Sequence, residues 1–201
     1  MPLNLDVRRW FRAFSIIAVA LSACALLVAL PDATPAFAQD KAIAPEKNPP
    51  GDIPDNQVFI DYRSPLGFSI KVPEGWARRE IPNGVIFSDK YNTLEVTVVS
   101  QPDSPTESSI KKEQLGELQT AGRAVEVSAV KSAKLPSGSA VVASYASNSE
   151  PNPVTNKAIR LENARYFFWK EGKLATVTLS SPFGADNADQ WLLMANGFRW
   201  K

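Results

Sequence analysis

Short runs of alternating apolar and polar residues, separated by turn residues, fill the chain from Gln57 onwards. The clearest is FSIKV at residues 68–72. Successive side chains of a β-strand point to opposite faces of a sheet, so such a run buries one face on a core and leaves the other in water. Because turn residues separate the runs, we predict an antiparallel meander. The predicted strands are 58–62, 68–72, 85–87, 94–99, 124–134, 140–147, 159–170 and 174–180.

Two helices are predicted from capping signals and helical spacing. Before the first, Ser104 offers a capping hydroxyl, Pro105 suits the first helical position and Glu107 the third, and Gly122 ends the run. The second begins at residues 186–187. Its apolar stripe contains Trp191, Met194, Ala195 and Phe198. The predicted fold class is therefore α+β, with a central antiparallel sheet of about six or seven strands flanked by helices.

The beginning of the chain has the features of an export signal. Three arginines, at positions 8, 9 and 12, precede an uncharged apolar run at 13–30. The small residues Ala36 and Ala38 then form a cleavage site before Gln39. Prolines among polar residues follow, which is typical of an extended spacer. The chain is thus divided into an export signal at 1–38, a proline-rich linker at 39–56 and a domain at 57–201.

Three alternatives concern how this signal is processed. The RRWF sequence at 8–11 resembles the core of a twin-arginine signal, which would export a folded protein, whereas paired arginines also occur in ordinary signals. The LSAC sequence at 21–24 matches a lipobox that would acylate Cys24, although the residues after it stay apolar. An uncleaved anchor is the third option, since the apolar run is at the lower limit for crossing a bilayer. Each of them places the domain outside the cytoplasm.

The sequence contains no histidine, and its single cysteine, Cys24, lies inside the signal. A Ser-His-Asp or Cys-His relay and an imidazole-ligated metal site are therefore excluded. Loss of residues 1–38 removes three basic and two acidic residues and leaves a neutral chain. Nucleic-acid binding usually needs a basic surface. We expect neither an enzyme nor a nucleic-acid-binding protein.

Asp186, Asn187 and Asp189 are candidate metal ligands, because oxygen atoms close in sequence suit calcium. The run lacks the Asp-x-Asp-x-Asp-Gly loop and the distal glutamate of the common calcium motif. Carboxylates in the first turn of a helix are also stabilised by the helix dipole without any metal. We therefore expect no obligatory cofactor, with calcium as the metal to test.

Exposed charges and one aromatic residue are candidates for binding a partner. Arg78 with Arg79, and Lys111 with Lys112, form basic pairs that can attract an acidic partner and speed association. The same pairs also suit a solvated strand end and a solvated helix face. Trp200 is the best placed of the aromatic residues to anchor a partner, since it lies at the end of the chain. Most of the aromatic residues have the spacing of a core between sheet and helix.

Several stretches resemble the PsbP family of extrinsic photosystem II proteins. The most specific is GFSIKVPEGW at 67–76, within the longer stretch 62–76. The strand at 94–100 and the ending FRW at 198–200 are similar to the corresponding parts of that family. The resemblance spans 62–200 and implies a sheet sandwiched between helices, an α/β/α arrangement. It also implies a thylakoid-lumen or periplasmic location, no catalysis, and docking on a membrane complex at the periphery of the membrane.

Within that family, plant members help to retain calcium and chloride at the oxygen-evolving centre of photosystem II, and cyanobacterial relatives look more like assembly factors. This sequence departs from the family in two respects. The histidines that contribute to metal sites in some members are absent. The stretches 151–157 and 160–163 are more similar to divergent PsbP-like domains of bacterial exported proteins. The alternative is therefore a periplasmic protein or lipoprotein in the envelope of a non-photosynthetic bacterium, with the same fold and an unknown binding role.

Overall fold

The computed structural model describes residues 40–201 of the chain. Within that range the protein forms ten strands and two helices. The strands are β1 (Phe59–Arg63), β2 (Phe68–Pro73), β3 (Ala77–Ile81), β4 (Gly84–Asp89), β5 (Asn92–Ser100), β6 (Glu126–Leu135), β7 (Gly138–Asn148), β8 (Arg160–Lys170), β9 (Lys173–Pro182) and β10 (Arg199–Trp200). The first helix runs through the consecutive segments Glu107–Ser109, the π-helical Ile110–Gln114, and Leu115–Ala121, and the C-terminal helix is Ala188–Gly197.

Seven strands form one antiparallel sheet in the order β3-β4-β5-β9-β8-β7-β6. It consists of two meanders, β3 to β5 and β6 to β9, which join where β5 pairs with β9. Val96 lies opposite Val177 in that pair. The first helix connects the meanders and carries the chain from the middle of the sheet to its far edge. The predicted antiparallel meander is therefore present twice.

A smaller antiparallel sheet, in which β2 lies between β1 and β10, covers one face of the large sheet together with the C-terminal helix. Phe198 lies in the middle of this core. Its ring stacks on Phe168 at 4.4 Å and on Phe68 at 5.8 Å between centroids. Phe198 has no exposed surface, and burial of a side chain of this size contributes roughly 1.5–3 kcal/mol.

The first helix covers the opposite face of the large sheet. Ile110 and Leu115 pack there with Val141 and Phe167. Phe167 and Phe168 are consecutive and belong to different cores, so β8 is buried on both faces. The sheet is thus sandwiched between helices, which confirms the predicted α+β fold class.

Two strands have no counterpart in the sequence pattern. Strand β3 is exposed along almost its whole length, because it is an edge strand, and no apolar alternation marks it. Strand β10 has two residues, Arg199 and Trp200, which pair with Ser69 and Phe68 of β2. Strands of this kind are defined by hydrogen bonds with a neighbour, so a periodicity in side chains does not reveal them.

The first helix begins two residues later than predicted. Thr106, not Ser104, is the N-cap, and its Oγ1 accepts a hydrogen bond from the Ser109 N–H at 3.1 Å. The Ser109 hydroxyl in turn accepts the Thr106 N–H at 2.9 Å. These reciprocal bonds form a capping box. Pro105 consequently precedes the cap, and Glu107 is the first helical residue.

The proline-rich residues 40–56, called here the N-terminal strap, have no regular secondary structure and lie along the domain. Asn148, which is buried, holds one part of the strap. Its Oδ1 accepts the Ile43 N–H at 3.1 Å, and its Nδ2 donates to the Lys41 carbonyl at 2.9 Å. The structure therefore gives this segment contacts that an extended spacer would not need.

Asn187 and Asn92 hold the other end of the strap. Asn187 Oδ1 accepts the Ile53 N–H at 2.7 Å, and the Ile53 side chain is buried in the core. The carbonyl of Gly51 accepts hydrogen bonds from Asn187 Nδ2 at 3.0 Å and Asn92 Nδ2 at 2.8 Å. Buried amide side chains thus satisfy strap backbone groups that would otherwise lack partners.

Candidate docking surface

A groove on the outer surface, between the small sheet and the C-terminal helix, is the strongest candidate for a binding surface. Its volume is about 640 Å³. On strand β2, Phe68, Ile70 and Val72 are buried in the core, so Ser69 and Lys71 point outwards and line the groove. The helix and the strands β1 and β10 complete it.

Gly197 determines how closely the C-terminal helix approaches β2. A Cβ atom at this position would lie 2.9 Å from the Cβ and 3.1 Å from the backbone nitrogen of Lys71. Any larger residue would therefore push the end of the helix away from the strand. The width of the groove follows from this close packing of helix on strand.

Cations outnumber carboxylates in the groove. Arg63, Lys71 and Arg199 line it, with Asp61 and Asp189. Lys71 Nζ lies 3.1 Å from Asp61 Oδ1 in an exposed ion pair, worth at most about 1 kcal/mol. Arg199 Nη1 donates to two backbone carbonyls instead. Among residues 40–201, neither Arg63 nor Arg199 has a carboxylate oxygen within 4.0 Å, so both guanidinium charges are available to an acidic partner.

Two exposed leucines lie beside these cations. Leu192 is 49% exposed and Leu193 is 39% exposed. Both line the groove, on the side of the C-terminal helix opposite its buried residues Met194 and Ala195. The sequence indicates this exposure in one way, because the two leucines lie outside the apolar stripe of the helix. A partner that covers these leucines gains apolar burial beside the charged side chains of the groove.

The predicted metal ligands differ in burial and in the groups that they contact. Asn187 is 2% exposed, and its oxygen already accepts the strap N–H of Ile53. Asp186 is exposed, with its backbone N–H bonded to Asp52 Oδ1 at 3.0 Å, and Asp189 lines the groove. In the described part of the chain no group of three or more carboxylate or thiol side chains is placed to hold a metal ion. Calcium binding stays a prediction.

The predicted basic pairs lie on separate elements and do not line the groove. Arg78 and Arg79 are exposed on β3. The Arg78 Nε is 3.4 Å from Glu80 Oε1, and its guanidinium lies 5.9 Å from the centre of the Tyr62 ring. Lys111 and Lys112 are exposed on the π-helical segment of the first helix. Their role in binding a partner stays a prediction.

Trp200 belongs largely to the core. Its ring meets Phe198 edge to face at 5.5 Å between centroids, and it is partly buried. The indole Nε1 is buried and has no hydrogen-bond acceptor among residues 40–201. A role as a partner anchor would use the exposed remainder of the side chain and stays a prediction.

The predictions of lipidation at Cys24 and of cleavage before Gln39, at the site formed by Ala36 and Ala38, lie outside the described residues. Within residues 40–201, no helix has the length and apolar character needed to cross a bilayer.

Comparison with known proteins finds similarity in structure. No protein-family model matches the sequence, and no curated protein matches it. The solution structure of cyanobacterial PsbP (CyanoP) from Synechocystis sp. PCC 6803 is similar, with a TM-score of 0.53 and 17% identity over 75% of this chain and 98% of that chain. At this identity the likeness establishes the fold alone, and the chain therefore has a PsbP-like fold.

Two further solved structures are more distant. The Ran-binding protein Mog1p of Saccharomyces cerevisiae has a TM-score of 0.48 and 11% identity, over 72% of this chain and 96% of that chain. LpqN of Mycobacterium tuberculosis, a protein involved in cell envelope biogenesis, has a TM-score of 0.39 and 12% identity, over 71% and 89% of the two chains.

Proposed function

We propose that this protein is a non-catalytic exported domain that docks on a membrane-protein complex, most specifically on photosystem II as an accessory or assembly protein of its oxygen-evolving complex. The observation that carries the proposal is the fold shared with cyanobacterial PsbP over 98% of that chain. The similarity of residues 67–76 to the PsbP family supports it further. The lack of histidine agrees with a docking role, since no nucleophile or base is needed.

The groove beside the C-terminal helix is the docking surface in this proposal. Leu192 and Leu193 supply the apolar contact, and Arg63 and Arg199 supply charges that have no carboxylate partner within residues 40–201. Such a surface fits a partner segment that carries apolar side chains between carboxylates. Burial of the leucines would give most of the affinity, and the guanidinium groups would set orientation and speed of association.

The proposed location follows from the predicted signal. Export by residues 1–38 would place the domain in the periplasm or the thylakoid lumen, attached to the membrane through its partner. The neutral charge of residues 39–201 gives no support to nucleic acid as a partner. Calcium is not required for docking through the groove, since Leu192, Leu193, Arg63 and Arg199 contact the partner directly.

Affinity purification from native membranes tests the proposal. The tagged full chain is compared with a Leu192→Ser/Leu193→Ser variant and with a Val154→Ser control, in which an isolated valine that is 89% exposed is replaced. We expect the wild type and the control to recover the subunits of one membrane complex. The leucine variant should recover about a tenth or less, as expected when central apolar contacts of an interface are lost.

Recovery of no membrane protein by the wild type would refute docking, and equal recovery by the leucine variant would refute the groove as the surface. If the source organism lacks photosystem II, the photosystem interpretation fails. The protein is then the envelope component of a non-photosynthetic bacterium, periplasmic or lipid-anchored, and the co-purified complex identifies its role.

A further inference from the structure

A second groove, independent of the docking surface, lies over strands β6, β7 and β8, next to the C-terminal helix. Its volume is about 630 Å³. Trp191 of the helix and Phe183, which follows β9, line it together with residues of the three strands. Phe183 is 39% exposed and Trp191 is half-buried. The groove therefore has aromatic side chains open to a ligand.

Two carboxylates line this groove, and no lysine or arginine of residues 40–201 does. One of them, Glu126, forms an ion pair, because its Oε2 lies 2.9 Å from Nη2 of the buried Arg160. The same guanidinium donates through Nη1 to the Ala124 carbonyl at 2.7 Å. The Arg160 guanidinium therefore contacts Glu126 and the backbone. The second carboxylate, Glu162, does not pair with it.

Glu162 is partly buried and has polar but uncharged neighbours. Its Oε1 accepts a hydrogen bond from the Ser181 hydroxyl at 3.4 Å. Burial raises the pKa of its carboxyl above the ordinary value, and hydrogen bonds from the Gly184 N–H and the Ser181 hydroxyl offset part of that rise. Among residues 40–201 no lysine or arginine nitrogen lies within 4.0 Å of it. A partly desolvated carboxylate of this kind gains when a cation enters.

We propose that this groove binds a lysine or arginine side chain from an extended segment of a partner protein. The cationic group would pair with Glu162, while its aliphatic stem lies against Trp191 and Phe183. Lysine and arginine side chains pack their aliphatic stems against apolar surface while the charged group stays with a polar partner. The volume of about 630 Å³ exceeds what one side chain fills, so the neighbouring residues of the segment occupy the rest of the groove.

The ligand is tested with matched peptides. The protein isolated after expression of the full chain is titrated with Ac-Gly-Ser-Arg-Ser-Gly-amide, and with the same peptide carrying citrulline, which has the shape of arginine without its charge. The readout is the NMR chemical shift of the Trp191 indole N–H, assigned with Trp191→Phe. We expect saturable binding of the arginine peptide, at least about tenfold tighter than the citrulline peptide. Equal binding of the two peptides, or binding of neither, overturns the proposal.

The role of Glu162 is tested by Glu162→Gln, with Glu113→Gln as the matched control on the first helix. The glutamine keeps an acceptor for Ser181 and removes the charge. We expect Glu162→Gln to weaken the arginine peptide about fivefold or more and to raise the melting temperature at neutral pH, because the cost of burying a charge disappears. The control should change neither. Unchanged peptide affinity in a folded Glu162→Gln protein overturns the assignment of Glu162 as the partner of the cation. If that variant does not fold, the comparison of the arginine and citrulline peptides on the wild type still decides whether the groove binds a cationic side chain.

Discussion

The side-chain oxygen of Asn187 accepts a hydrogen bond from the backbone N–H of Ile53 at 2.7 Å, which joins positions 134 residues apart. Asn187 occupies the N-cap position of the C-terminal helix, yet its side chain makes no capping bond. The oxygen that would cap the helix is used to hold the N-terminal strap. A residue expected to start a helix or bind a metal therefore attaches the N-terminal strap to the C-terminal helix.

Replacement of Asn187 should destabilise the protein. Asn187→Ala leaves the buried Ile53 N–H without an acceptor, and an unsatisfied buried group costs about 1–3 kcal/mol. Urea unfolding measures the change, with Asn56→Ala as a control, since Asn56 is exposed in a turn at the end of the strap. Equal stability of the two variants would show that the bonds of Asn187 to the strap contribute little to the free energy of unfolding.

Two glycines should respond in opposite directions to the same substitution. Gly197→Ala brings a Cβ to 3.1 Å from the Lys71 backbone nitrogen, which cannot move freely. We therefore expect this substitution to lower the free energy of unfolding by about 1–3 kcal/mol. Gly116 lies in the first helix, and a Cβ added there would have nothing within 4 Å. We therefore expect Gly116→Ala to raise the free energy of unfolding by about 0.5–1 kcal/mol. Chemical unfolding compares both with the wild type. A stable Gly197→Ala variant would contradict the close approach of helix and strand.

The contact between Glu107 and Ser132 predicts a dependence on pH. Hydrogen bonds from the Ser132 hydroxyl and then from its backbone N–H hold the pKa of Glu107 below the ordinary value of 4.5. A carboxyl with a lowered pKa stabilises the folded state above its ordinary pKa, and this stabilisation is lost as pH falls through the folded-state value. We expect Glu107→Gln to be less stable than the wild type near neutral pH. That difference should shrink as pH falls below about 4.

Thermal melting across this pH range is the measurement for Glu107. Glu117→Gln is the control, because Glu117 is exposed on the same helix. The difference in stability between Glu117→Gln and the wild type should not shrink as the pH falls. If the Glu107→Gln difference stays constant with pH, the hydrogen bonds to Ser132 do not stabilise the folded protein through the charge of Glu107.

Calcium should leave the stability of the protein unchanged. The Asn187 oxygen already accepts the Ile53 N–H, so two exposed carboxylates, of Asp186 and Asp189, are left as ligands, and calcium binding sites in proteins usually supply six or more oxygens. Melting temperatures recorded with and without millimolar calcium make the test. A clear rise, lost in Asp186→Asn/Asp189→Asn, would restore calcium as a ligand.

The buried strands were predictable from local pattern. Ile70, Val96 and Val177 each lie in a run whose alternation reflects burial on a core, and that relation needs no knowledge of the partner strand. The cap of the first helix was harder, because Ser104 and Thr106 both carry a suitable hydroxyl. The reciprocal bonds between Thr106 and Ser109 select the later position.

The two grooves were not predictable in the same way. Residues from 61 to 199 meet in the first, and residues from 126 to 191 meet in the second. Their contact depends on the order of strands and on where the C-terminal helix lies. The spacing of residues along the chain does not reveal this strand order or the position of the helix, since the strands adjacent in the sheet are not all adjacent in sequence.

Composition and periodicity were sufficient to establish the α+β class and to exclude histidine chemistry, because both depend on residue types and on local alternation. The folded structure decided which charges are compensated and which apolar side chains are exposed. Arg160 forms an ion pair with Glu126, whereas no lysine or arginine nitrogen of residues 40–201 lies within 4.0 Å of the Glu162 carboxylate. Leu192 is exposed although Met194 and Ala195 of the same helix are buried. The energy of a charge or an apolar surface depends on its three-dimensional neighbours, and tertiary packing alone brings these together.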